Sequence, residues 1–372
     1  MFIEFRQHYC SILGASTNYV DVLPRELTLD RNFVARRFRT NKTNTVFDEA
    51  HIVPVSWLIV PEVRRTFATT ASVQETAEHL FKRIEDRLIE IVAENWSPDK
   101  THVILSSSGY DSRMLMWSIR RNLDERGAAW FGDTVFLCSK LEGESFREIV
   151  KYLDFDQYAY VIGDEIDGCD YYMDSLIDFA GAWQRLGGVA NIPVNLFWYL
   201  PETAERQGLF SPPIQLWTGQ WGNAVFDYCS HELSGARYKS AYVELYYSIM
   251  CQRPLRGEER VLPYTDCELA RITAESNVKM GKELRFSLLK SMDEKLVAFE
   301  NMRSDGDRHR RISEWLLRKM QLDYYNSWYG KNVAPQARLE HHTTEFQEFW
   351  SRWTAASLCE HLLEEGYEIA LS

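Results

Sequence analysis

The residues best able to do chemistry lie together in the run Ser106-Ser107-Ser108-Gly109-Tyr110-Asp111-Ser112. Small residues at Ser106, Ser107, Ser108 and Gly109 let a backbone approach an anion closely, and the hydroxyls can donate hydrogen bonds to it. Asp111 can hold a divalent cation that offsets the charge of a polyphosphate. The plainer alternative is that Asp111 or Ser112 only caps a helix, accepting from its first free N–H groups.

These residues need elements to hold them, and the flanking pattern supplies them. His102 to Leu105 is a short β-prone run and Ser112 to Leu123 reads as a helix, so the serines form a tight loop between strand and helix. Such a loop points backbone N–H groups at the helix N-terminus, a natural phosphate seat, and in an open parallel sheet ligands bind outside the carboxyl ends of the strands. The unit repeats in kind: Thr134 to Cys138 is a β run, Glu142 to Leu153 helical, Tyr158 to Ile162 another β run, and Ile214 to Thr218 a further buried-strand candidate. Upstream, Leu80, Phe81, Ile84, Leu88, Ile91 and Val92 show the three-and-four spacing of an amphipathic helix over Glu75 to Trp96, ended by Ser97-Pro98. The expectation is an α/β protein in three units. Residues 1–74 form a small, mainly β unit, 75–232 a parallel-sheet domain and 233–372 a helical region.

Composition narrows the function classes. The 372-residue chain is 45% hydrophobic and 13% aromatic, enough for a large core. A net charge of -12, from 42 basic and 54 acidic side chains, disfavours extensive nucleic-acid binding. Seven cysteines are scattered with no C-x-x-C pair, which argues against a disulfide framework or a four-cysteine zinc site and points to a reducing cytosol. The first 16 residues lack an apolar leader core, and no later window is apolar enough to span a bilayer, so a cytoplasmic protein with no membrane association is expected.

The stretch Leu105 to Arg113 resembles the S-G-G-x-D-S loop of the PP-loop, or N-type, ATP pyrophosphatases, and the Arg after the Ser is common in asparagine-synthetase-like members. Downstream, Leu216-Trp217-Thr218-Gly219-Gln220-Trp221-Gly222-Asn223-Ala224-Val225-Phe226-Asp227-Tyr228 is similar to that family's S-G-x-G-x-D-E-L-F-x-G-Y segment. Between them, Asp174 to Gly208, with Asn191-Ile192-Pro193, resembles the helical connection of asparagine synthetases. The resemblance covers roughly residues 75–230 and extends more weakly through the helical tail.

The resemblance implies a sheet of the adenine-nucleotide alpha-hydrolase (Rossmann-like) type, with ATP and Mg2+ as cofactors. By analogy, Ser106, Ser107, Ser108, Gly109, Asp111 and Ser112 would cradle pyrophosphate, with Asp111 on the metal. Gly219, Gln220 and Asn223 would line the facing wall, and Cys138-Ser139-Lys140 would meet the adenine edge. Lys140 could touch a phosphate, and Lys331 is the preferred late cation for a pentavalent phosphorus centre. The implied activity is an AMP- and pyrophosphate-forming amide ligase or cyclase. It would adenylate a small-molecule or peptide carboxylate for attack by an amine.

Several positions depart from the family. Ser108 replaces its first Gly, which is compatible with a phosphate contact at negative φ. Asn223 replaces an acid that helps hold magnesium, and Ala224 replaces the neighbouring Glu used in acid/base work, so a carboxylate and a general base are missing. Phe2 stands where full asparagine synthetases have a nucleophilic Cys, and the first 74 residues read as a truncated glutaminase-like remnant, so glutamine-derived ammonia is not expected. Two alternatives follow: a catalytically impaired nucleotide-binding relative acting as sensor or scaffold, or a PP-loop nucleoside- or tRNA-modifying enzyme. Elsewhere, Arg303, Arg308, Arg310 and Arg311 read as a solvated basic face, and His341-His342 lacks a third metal ligand. Tyr324 to Tyr329 could stack a planar substrate or fill a core.

Overall fold

A computed structural model of the chain describes residues 9–11, 13–16, 20–29, 47–49, 51–52, 73–139, 142–162, 196–219, 222, 225–226, 259–300, 324–333 and 355–371. Its centre is a five-stranded, all-parallel sheet. The strands are β5 (Thr101–Leu105), β6 (Thr134–Ser139), β7 (Ala159–Ile162), β8 (Ile214–Thr218) and β9 (Glu259–Val261), in the order β7-β6-β5-β8-β9. The chain enters at β5, winds outward through β6 and β7, then crosses to the other side of β5 for β8 and β9. The winding direction therefore reverses between β5 and β8, and at such a switch point the loops leaving the two carboxyl ends part to open a crevice.

The central strands β6, β5 and β8 are buried along almost their whole length because both faces are covered. On one face Ile104, Phe136, Cys138 and Trp217 join the large core built by α1 (Ala77–Asn95) and α2 (Tyr110–Arg126). On the other, Val103, Leu105, Val135, Leu137, Ile214 and Leu216 meet Leu200 and Ala204 of α5 (Leu196–Arg206). Alternate residues of one strand thus feed different cores, as the period of two requires. The short α3 (Ala128–Phe131) precedes β6, and α4 (Gly143–Tyr152) links β6 to β7.

Local chemistry sets the helix ends. Thr76 caps α1, its hydroxyl accepting from His79 N at 3.3 Å, and the six apolar residues read from the sequence form the buried stripe. The helix α2 begins at Tyr110, two residues before the expected start, because Gly109 is extended (φ -71°, ψ 156°) while its carbonyl accepts from Arg113 N at 3.1 Å. That geometry makes Gly109 the N-cap.

The sheet reaches beyond residue 232, since β9 adds its fifth strand within the region expected to be helical. After it come α6 (Cys267–Glu275), α7 (Lys282–Met292) and α8 (Glu294–Ala298). Asp266 caps α6 through Leu269 N at 2.8 Å and also receives Arg87 of α1 in a two-pronged pair at 3.0 and 2.9 Å. One carboxylate thereby fixes both the start of α6 and its place against α1. Within 1–74, β1 (Tyr9–Ser11), β2 (Gly14–Ser16) and β4 (His51–Ile52) form an antiparallel sheet, while β3 (Glu26–Leu29) pairs in parallel with β10 (Glu368–Leu371). The last helical elements are α9 (Trp328–Asn332) and residues 355–364. Among the described residues no helix is long and apolar enough to cross a membrane.

Candidate functional site

The loop from β5 to α2 lies at the mouth of the switch point. Ser106 extends the strand ladder by one bond, its N–H donating to Leu137 O at 2.8 Å. Ser107 Oγ then accepts from Gly109 N at 3.2 Å and shares a hydrogen bond with Ser112 Oγ at 2.8 Å. This knot folds the loop back over the first turn of α2. Neither Asp111 nor Ser112 caps the helix; Gly109 does, with no side-chain bond, so the capping alternative does not account for them. Among the described non-glycine residues only Asp154 has a positive φ, so Ser108 keeps the negative φ that a serine adopts without strain.

A carboxylate already sits on this loop. Ser108 donates its backbone N–H and its hydroxyl to the same oxygen, Glu142 Oε2, at 2.5 and 2.8 Å. Glu142 stands just before α4, at the carboxyl end of β6, and is only 8% exposed.

The second sequence segment comes to the same place. A Cβ built on Gly219, immediately after β8, would stand 2.8 Å from Ser112 N and 3.0 Å from the Asp111 carbonyl carbon, so backbone meets backbone at the start of α2. A Cβ on Gly222 would fall on the Asp111 carboxylate. Phe226 packs edge-on against Tyr264, with ring centroids 5.7 Å apart, and the Tyr264 hydroxyl donates to Asp111 O at 2.8 Å. Burial and the nearby Asp111 charge hold the Tyr264 phenol well above its ordinary pKa, so it remains a donor. The Asp111 carboxylate faces the guanidinium of Arg285, from α7, at 3.8 Å.

The remaining expected residues divide. Cys138 has its side chain in the core, where burial and the Glu142 charge push its thiol well above the usual range. Only backbone beyond it could meet a ligand. Lys331 lies on α9 and is exposed; among the described residues no hydrogen bond or ion pair joins its side chain to the 106–112 loop. Lys140, Gln220, Asn223 and Ala224 lie outside the described residues, as do Arg303, Arg308, Arg310, Arg311, His341 and His342. Tyr324 and Tyr329 are buried, which makes them packing rather than a stacking platform. Arg113 is fully buried and donates to Leu296 O and Glu300 O, both at 2.7 Å, tying α2 to the end of α8. Burial lowers its pKa to about 10, so it stays charged at neutral pH.

No family model matches the chain, and no curated protein matches it either.

The groups present fit a phosphate oxygen: the backbone N–H and the hydroxyl of Ser108, just before the N-terminus of α2, meet on one point where a carboxylate oxygen is already bound. Among the described residues no three His, Cys, Asp or Glu side chains gather closely enough to hold a metal ion. The fit to magnesium is thus through Asp111 together with oxygens that a phosphate ligand would bring.

Three participants carried no chemical signal in the sequence. Glu142 reads there only as a helix opening, although an acidic residue just after a β run is by position a residue of the sheet's carboxyl edge. Tyr264 and Arg285 reach Asp111 from 153 and 174 residues away, and only packing brings them there.

Proposed function

We propose that this chain binds ATP in the loop Ser106 to Ser112 and cleaves it between the α and β phosphates, as an asparagine-synthetase-like ligase or cyclase on a Rossmann-like, adenine-nucleotide alpha-hydrolase sheet. The observation that carries the reading is the meeting of two segments more than 100 residues apart in the sequence, with Gly219 and Gly222 packed directly on Ser112 and Asp111. Both resemble segments that face each other across the nucleotide in that family. Ser107, Ser108, Gly109 and Ser112 would hold the leaving pyrophosphate, and Gly219 would form the opposite wall. Asp111 would hold magnesium, which when bound neutralises charge on the phosphates. Gln220 and Asn223 are proposed for the same wall, the backbone after Cys138 for the adenine edge, and Lys140 and Lys331 as the cations that turnover requires. The substrates would be a small-molecule or peptide carboxylate and an amine, and the product an amide.

The test is calorimetric titration with ATP and magnesium, followed by assay of AMP and pyrophosphate release with a panel of carboxylic acids and hydroxylamine as the amine. Micromolar-to-millimolar binding with acid-dependent pyrophosphate release is expected. A folded chain that neither binds ATP nor releases pyrophosphate refutes the proposal. Asn223 and Ala224, which replace two acids of the family, favour a second reading, a nucleotide-binding sensor or scaffold. Its signature is ATP binding without AMP formation.

A further inference from the structure

We propose that Glu142 is a built-in competitor of phosphate: its carboxylate occupies the anion seat of the Ser106–Ser112 loop and must leave before a polyphosphate can enter. This rests on the reading of the loop as a phosphate site and adds to it a resting, self-occupied state.

The contact has the form of ligand binding. One carboxylate oxygen takes both the N–H and the hydroxyl of Ser108, the groups an incoming phosphate oxygen would need. Glu142 does not do this as a by-product of capping its own helix. It occupies the N-cap position of α4, yet its side chain makes no capping bond there and reaches back across the sheet edge to the loop after β5. Nor does the nearby Arg113 explain the placement. It lies close enough to feel the charge, but its two terminal nitrogens go to Leu296 O and Glu300 O. Ser108 holds the buried carboxylate through two hydrogen bonds.

A phosphate dianion entering beside it would bring like charges into contact at a poorly solvated site. Occupation by Glu142 and by phosphate are therefore mutually exclusive, and apparent affinity is reduced by the fraction of molecules in which the seat is filled from within. A carboxylate that merely braced the loop would have the opposite effect: removing it would loosen the seat and weaken binding. The sign of the change on substitution separates the two roles.

The experiment uses the full chain as wild type, Glu142→Ala and Glu142→Gln, titrated with inorganic pyrophosphate by calorimetry, with and without magnesium. Glu142→Ala should bind pyrophosphate roughly tenfold or more tightly than wild type. Glu142→Gln, which keeps the shape and one acceptor but not the charge, should gain a few-fold. Hydrogen exchange supplies a readout independent of turnover. In Glu142→Ala, amides of residues 105–112 should exchange faster without ligand and regain protection with pyrophosphate. Equal or weaker binding by both variants, with wild type still binding, overturns the competitor role and leaves the ATP reading standing. Absence of pyrophosphate and ATP binding from all three folded proteins overturns both. Should the alanine variant fail to fold, the glutamine variant still separates competitor from brace, because its affinity rises in the first case and falls in the second.

Discussion

The two ends of the central sheet both bury polar side chains, and they do so in opposite ways. Toward the amino end of β5, His102 stacks on Trp96 at 3.7 Å, accepts at Nδ1 from Trp217 Nε1 at 3.1 Å and donates from Nε2 to Ser97 O at 2.9 Å. Each of these partners is neutral, the ring is neutral, and burial holds its pKa down to about 4. At the carboxyl end a charged carboxylate lies on a backbone N–H, a second one faces an arginine, and two glycines press backbone and carboxylate together. The first arrangement is complete in itself and gives a rigid aromatic plug. The second concentrates charge and donors where strands stop and loops part, and a ligand could exchange for what is there. Burial of a polar group is not in itself a sign of function; the sign is a charged group held by donors that another anion could use.

Four measurements sharpen or break this contrast. The largest effect is expected for Gly219→Val, whose side chain would have to displace the first turn of α2. ATP affinity should fall by about a hundredfold, with a stability loss of ~1–3 kcal/mol. A calorimetric titration and urea unfolding read the two, and retention of wild-type affinity would remove Gly219 from the site.

Next comes the amino end. Because the folded pKa of His102 lies below its ordinary 6.5, the unfolded chain takes up a proton that the folded one refuses between pH 6.5 and 4. Stability from this residue is thus fully present above pH 6.5 and lost as pH falls toward 4, by on the order of 2–3 kcal/mol. Replacing His102 with Phe should flatten that part of the urea-unfolding pH profile, cost ~1–3 kcal/mol at pH 7.5 through the abandoned Trp217 and Ser97 partners, and leave ATP affinity unchanged. A change in ATP affinity would show that the two ends are coupled.

A smaller effect is expected for Asp111→Asn. It should weaken ATP binding about tenfold in magnesium but little in its absence, since the lost charge matters through the metal. Equal weakening in both conditions would point instead to the contact with Arg285. Smallest is Lys331→Ala, which, being exposed, should alter folding stability by less than about 0.5 kcal/mol. Slower pyrophosphate release at unchanged ATP affinity would assign Lys331 to turnover, and unchanged release would dismiss it.

The parallel sheet was legible because its signals are local. The apolar runs at 101–105, 134–139, 159–162 and 214–218, with amphipathic segments between them, carry periodicities that survive any arrangement of the rest. By contrast β9 is three residues with one buried, Val261, and β10 is mostly exposed, so neither has a run long enough to announce a strand; each forms because a neighbour offers an edge. The same division holds at the site. The sequence by itself determined the small, hydroxyl-rich loop entering α2 and the glycines after β8, since only small residues permit backbone to approach backbone. The tertiary structure decided that Gly219 meets Ser112, that Tyr264 and Arg285 converge on Asp111, and that Glu142 accepts two hydrogen bonds from Ser108. The physical reason is that these contacts follow from strand order, β6 lying beside β5 for Glu142 and the crossing of the chain to the far side of β5 for the others, which joins residues 34 to 174 positions apart, and no local pattern of residue types encodes such a distance.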